Sequence, residues 1–207
     1  FRIEKGKFCR HNFRNEFVIG NMLVKDGAIA YWSALNLHGL TEQFPNSVFV
    51  QSPYLKKDKN IFGINYRFVK IKSEKFFGIT QQGYGNESYR ITDIEKTLLD
   101  CFDLPQYSGG YEELIRAFYK AKINKNKLLN YGMRMHNIAI LKRMAYLSVL
   151  FDMEGFKLFQ DEVKKLLNKK YSLLDPRGDD TGKFVAEWRL RINIPQNKLI
   201  QIINKIY

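Results

Sequence analysis

Three pairs of polar side chains have a type and spacing that could do chemistry: Ser33 with His38, Asp100 with Asp103, and Glu162 with Lys164. The first would be a nucleophile and its general base. The second would offer two carboxylates for proton transfer or for holding a metal. The third, within Asp161-Glu162-Val163-Lys164, has the acid-x-Lys pattern of a restriction-type nuclease. Spacing argues against the first and third pairs, and acidic residues on a helix flank, like Asp100 and Asp103, are usually solvated or paired. Five residues turn a helix by ~140°, so Ser33 and His38 face different ways. A histidine near a helix C-terminus is accounted for by the helix dipole or a hydrogen bond at the core edge. The nuclease pattern needs Glu and Lys on neighbouring strands or a bulge, beside a second metal-holding carboxylate. Here Phe156, Phe159, Val163, Leu166 and Leu167 recur at helical spacing, which puts Glu162 and Lys164 on the polar face of a helix. The three histidines (His11, His38, His136) and two cysteines (Cys9, Cys101) lack zinc-ligand spacing. Gly83 and Gly85 are followed by no Gly-Lys-Ser/Thr, so no nucleotide loop is indicated. The expectation is a chain with no catalytic residues, no metal and no cofactor; a metal-dependent nucleic-acid-processing nuclease is the alternative.

Charge gives the second lead. The net charge is +13, from 34 Lys and Arg against 21 Asp and Glu, which draws the chain toward polyanions or acidic partners. The span from Arg116 to Arg143 holds Arg116, Lys120, Lys122, Lys125, Lys127, Arg134, Lys142 and Arg143 with no acidic residue. Phe118, Tyr119 and Tyr131 are interleaved, a composition that fits a nucleic-acid footprint and equally a face for an acidic protein. Near the start, Arg2, Lys5, Lys7, Arg10 and Arg14 stand against the single acid Glu4. Lys56, Lys57, Lys59, Arg67, Lys70, Lys72 and Lys75 form a third basic stretch.

The elements that must position these groups follow from periodicity. Phe1, Ile3 and Phe8 around Lys5-Gly6 read as a short hairpin. Two helical runs follow, broken at Asp26-Gly27, the second from Ala28 to His38 with Gly39 as its C-terminal cap. Residues 44–91 alternate as strands, predicting three to five in antiparallel order. Thr92 and Glu95 form a capping box, and Ile94, Leu98, Leu99 and Phe102 make one apolar helix face. Pro105 stops that helix, and Gly109-Gly110 turn the chain into a second amphipathic run at Tyr111. Helices continue to about Lys170, including an apolar one over 138–151. A strand from Phe184 to Ile192 and a final helix or extension from Leu199 to Ile206 complete the chain.

The length suits one large domain or one domain with an appendage, and 45% hydrophobic residues suffice for a core. The two distant cysteines indicate no disulfide framework. No apolar run approaches the ~20 residues of a membrane span. The chain opens on Phe1-Arg2-Ile3 with no initiator methionine, so residues upstream are expected.

Five separated stretches, in order, resemble the AbiEi family, the antitoxin half of bacterial abortive-infection toxin–antitoxin systems. They are the N-terminal basic hairpin; Ser33-Ala34-Leu35 with His38-Gly39-Leu40-Thr41; Ile91 to Leu98 with Asp100, Pro105 and Gly109-Gly110; Leu141 to Leu147, where Ala145 replaces a glycine; and Leu174-Asp175-Pro176 with Gly182 and Trp188 to Asn193. The resemblance implies an α+β fold, a small antiparallel sheet packed with helices, preceded by the wing remnant of an N-terminal winged helix-turn-helix. Residues 1–14 would be that wing, with the recognition helix upstream, and 15–207 the antitoxin domain. It further implies a cytoplasmic antitoxin and autorepressor that binds operator DNA, has a nucleotidyltransferase-like toxin as partner, and is not an enzyme. The DNA contacts would be the wing residues Arg2, Lys5, Lys7, Arg10 and Arg14 and the eight cations from Arg116 to Arg143.

Overall fold

The computed structural model describes residues 15–204, so the N-terminal hairpin and its five cations lie outside the described residues. Asn15 caps α1 (Glu16–Met22) by accepting from the N–H of Phe17. Next come β1 (Ala28–Ile29), α2 (Tyr31–Leu37), β2 (Ser47–Ser52), β3 (Lys59–Ile61), β4 (Ile64–Lys70), β5 (Ile79–Gln82) and β6 (Tyr89–Thr92). The helical part is α3 (Ile94–Asp103), α4 (Tyr111–Lys120), α5 (Lys125–Arg134), α6 (Ile138–Leu150) and α7 (Lys157–Lys165). The described residues end with β7 (Ser172–Leu173), β8 (Lys183–Val185), β9 (Leu190–Ile192) and α8 (Gln196–Asn204). The fold class is α+β, as expected.

The main sheet is not antiparallel. Its six strands run β3-β4-β2-β1-β6-β5, and β2 with β4 and β1 with β6 are parallel. Alternation along a strand fixes which side chains face inward, not the direction of the neighbour, so the sequence could not show this. One face carries Val48, Val50, Tyr66, Ile29 and Ile91 and is covered by α1 through Phe17, Val18 and Ile19. The larger core lies among α2 to α8 and includes Phe49 and Val69 from the sheet.

Three local expectations change. Ala28 and Ile29 open no helix: they are fully buried and pair with Gln51, Val50 and Ile91 as a strand. A β-branched residue between two strands is better placed there than in a helical turn. At α3 the cap is one residue later than the Thr92–Glu95 box: Asp93 accepts from the Lys96 N–H at 2.9 Å. Thr92 is held in β6 opposite Ile79, and its hydroxyl meets that of Thr97 at 2.7 Å. Finally, 184–192 is a hairpin, β8–turn–β9, because Trp188 in the turn folds into the core at 2% exposure.

Candidate nucleic-acid interface

The groups that could have been catalytic each have a structural partner. Ser33 donates to the Ser47 carbonyl at 3.2 Å and accepts from the Phe49 N–H at 2.9 Å. His38 Nε2 lies 2.7 Å from the Thr92 carbonyl. Asp103 is clamped between Lys75 at 2.5 Å and the Asn137 amide at 2.8 Å. Asp100 forms a buried ion pair with Lys96, one turn earlier on α3. Burial pushes the Asp100 carboxyl up to about 6, against the pull of the Lys96 ammonium. On α7 the acid-x-Lys pattern is pulled apart: Glu162 pairs with Lys165 at 2.6 Å, and Lys164 pairs with Glu187 at 2.6 Å while lying over the Trp188 ring.

The basic run from Arg116 to Arg143 does not form one surface. Arg116 is 3% exposed, bonded to Glu113 at 2.7 Å and to the Ile202 carbonyl of α8 at 3.2 Å. Lys142 is fully buried, with its ammonium on Asn168 Oδ1 at 2.7 Å and the Lys170 carbonyl at 2.6 Å. Arg143 is 6% exposed and spans the carbonyls of Leu173 and Phe102. These three are interior ties between elements, which corrects their reading as phosphate ligands. The reason is amphipathic geometry: a long cationic stem can fill apolar space while its head meets carbonyls at helix and strand ends.

Lys127, half-buried, is drawn to Asp93 at 3.1 Å and Glu95 at 2.9 Å. Burial works against ionising Glu95, but the Asn124 N–H and the Lys127 ammonium overcome it and hold the carboxyl below its ordinary value. Cations at the start of α5 oppose its dipole; Asp93 and Glu95 offset that. Lys120, Lys122 and Lys125 remain around the α4–α5 turn. Lys120 makes a 3.6 Å contact with Glu42 in which both side chains are largely solvated, worth little. Arg134 is exposed and stacked over Phe77 at 3.8 Å. The cationic surface nearest the predicted one is therefore Lys120, Lys122 and Lys125, with Arg134 at the far end of α5.

A second basic surface was not singled out by sequence. It lies on the small sheet, order β7-β9-β8, and carries Tyr171, Phe184, Arg189 and Arg191. Arg189-x-Arg191 was visible in the sequence, but Arg189 lies in the turn before β9 at φ +51°, and only the fold brings it beside Tyr171.

Four of the five segments carrying the family resemblance lie among the described residues, and these four meet one another. His38 bonds to Thr92, as above. Gly109, at φ +82°, packs so closely under Trp32 that a Cβ there would lie 2.6 Å from the indole. Tyr111 donates to the Leu174 carbonyl. Arg143 joins the end of α3 to Leu173. Asp175 and Asn193 exchange two hydrogen bonds, both 2.9 Å. Motif residues well separated along the chain thus hold α2, α3, α6 and the small sheet to each other.

No family model and no curated protein matches the chain. Among solved structures, it is similar to the crystal structure of the Rv2827c protein from Mycobacterium tuberculosis, with a TM-score of 0.59 and 12% identity over 87% of this chain. The chain spans 66% of the length of that protein. At that identity the likeness is one of fold.

Proposed function

We propose that this chain is an antitoxin and transcriptional autorepressor of a bacterial abortive-infection operon, acting in the cytoplasm with a nucleotidyltransferase-like toxin as partner. The observation that carries this reading is the mutual contact of the four motif segments that lie among the described residues: they form one connected framework around α3. Such a framework maintains a fold rather than an active site, which supports a binding role and not catalysis. The engagement of Ser33, His38, Asp100, Asp103, Glu162 and Lys164 in structural pairs supports the same role. Operator contacts then fall to the N-terminal basic segment, with Lys120, Lys122 and Lys125 adding phosphate attraction. No helix among the described residues is long and apolar enough to cross a membrane.

The test is co-expression with the toxin encoded beside it. Growth should be restored by this chain, and by a variant with Lys5 and Lys7 replaced by alanine. Failure of both proteins to rescue growth, or a metal-dependent nuclease activity abolished by Glu162→Gln, would overturn the assignment.

A further inference from the structure

The hairpin β8–β9 turns its two faces to different surroundings. Val185, Leu190 and Ile192 pack against the main core, so alternation puts Phe184 and its cross-strand partner Arg191 on the outer face. Phe184 is 56% exposed there, a large apolar ring in water. Four side chains form a continuous row on this face. The Arg189 guanidinium lies 5.6 Å from the Tyr171 ring centre and its Nη1 donates to the Tyr171 hydroxyl at 3.4 Å. Tyr171 meets Phe184 edge to face at 5.0 Å. Arg191 stands 5.0 Å from the Phe184 ring centre.

The surroundings are cationic. No carboxylate among the described residues forms an ion pair with Arg189 or with Lys142, whose partners are an amide oxygen and a carbonyl. Burial and the nearness of Arg189, Arg143 and Lys170 together make Lys142 harder to protonate, a sign of positive field without compensation. Arg191 is tied to Asp180 at 2.6 Å, but that carboxylate is 81% exposed and readily released to water. Arg189 also sits at φ +51°, a backbone region that favours glycine and is costly for a long side chain. The fold places a guanidinium where a glycine would be easier.

We propose that this arginine–aromatic row is a binding site for single-stranded nucleic acid, with an unpaired base stacking on Phe184 and phosphates drawn by Arg189 and Arg191. Rings and guanidinium planes bind unpaired bases through their faces, whatever the base. A duplex keeps its base faces stacked inside and would leave Phe184 without a role. An acidic peptide would use the arginines and likewise leave the ring unused. The site is separate from the basic segments assigned to duplex DNA and does not depend on that assignment.

The test is fluorescence anisotropy of the full chain with labelled twelve-nucleotide oligouridylate, oligothymidylate and a twelve-base-pair duplex, at fixed salt. Phe184→Ala and Arg189→Gly should each weaken single-strand binding by about tenfold, the size typical of one stacked base, and leave duplex binding unchanged. Arg189→Gly relaxes the backbone while removing the cation, so its thermal melt should not fall, separating lost binding from lost fold. Tighter binding of the uridylate marks RNA as the ligand, and of the thymidylate, single-stranded DNA; either supports the site. Unchanged single-strand binding in Phe184→Ala, equal losses on single strand and duplex, or displacement by polyglutamate as effective as by oligouridylate would overturn it.

Discussion

Arg143→Met separates an interior tie from a phosphate ligand. Methionine keeps most of the apolar stem but removes both donors, leaving the carbonyls of Leu173 and Phe102 without this partner. The guanidinium is nearly excluded from solvent, so water does not replace it. A hydrogen bond from a charged donor contributes about 1.5–3 kcal/mol, so two of them put the loss at about 3–5 kcal/mol, at the upper end for a single substitution. In a domain of this size each kcal/mol moves the midpoint by about 2–4 °C, so the melt should fall by about 6–20 °C. Arg143→Lys should lie between, because a single ammonium cannot reproduce the planar fork that reaches both carbonyls. Exposed Arg134→Met, losing mainly its stack on Phe77, should cost no more than about 1 kcal/mol. Circular dichroism melts measure stability, and duplex titrations on the same samples measure binding. A melt within about 2 °C of the parent, together with duplex affinity lost as in a surface lysine variant, would refute the interior role.

Lys122→Ala with Lys125→Ala should weaken operator and scrambled duplex alike and flatten the log–log salt slope by about 1–2 units, measured by anisotropy at several salt concentrations. Gly109→Ala should be strongly destabilising, since the residue is at φ +82° and its methyl would strike the Trp32 indole; a melt unchanged by the substitution would contradict the packing. Asp100 gives a pH dependence. Its carboxyl is raised by burial from 3.8 to about 6, so the folded state holds a proton that the unfolded chain releases. Its contribution to stability is fully present below its ordinary value and is lost as pH rises through about 6. Between pH 7 and pH 5 the parent should therefore gain about 1 kcal/mol relative to Asp100→Asn in urea unfolding. A difference that does not change with pH, or changes in the other direction, would exclude the titration.

Sequence determined what depends on near neighbours. The apolar spacing of Ile94, Leu98, Leu99 and Phe102 set α3, because burial on a helix repeats with the helical period. Pro105 and the two glycines at 109 and 110 set its end and the turn into α4. The helical spacing on α7 already placed Glu162 and Lys164 on a polar face, and each found a pairing partner near that face. Tertiary structure decided what depends on distant partners. Strand direction was one such feature, since parallel and antiparallel neighbours bury the same alternating residues. The cap of α3 was another: Thr92 has the right side chain for it, but its pairing with β5 kept it in the sheet and passed the cap to Asp93. The division of the basic run was the third. Arg116, Lys142 and Arg143 look no different in sequence from Lys120, Lys122 and Lys125. What separates them is whether carbonyls of α8, β7 and α3, or of the segment 168–170, meet the side chain. The fate of a cation is set by the groups that fold around it, and the carbonyls among these lie 28 to 86 residues away in the chain.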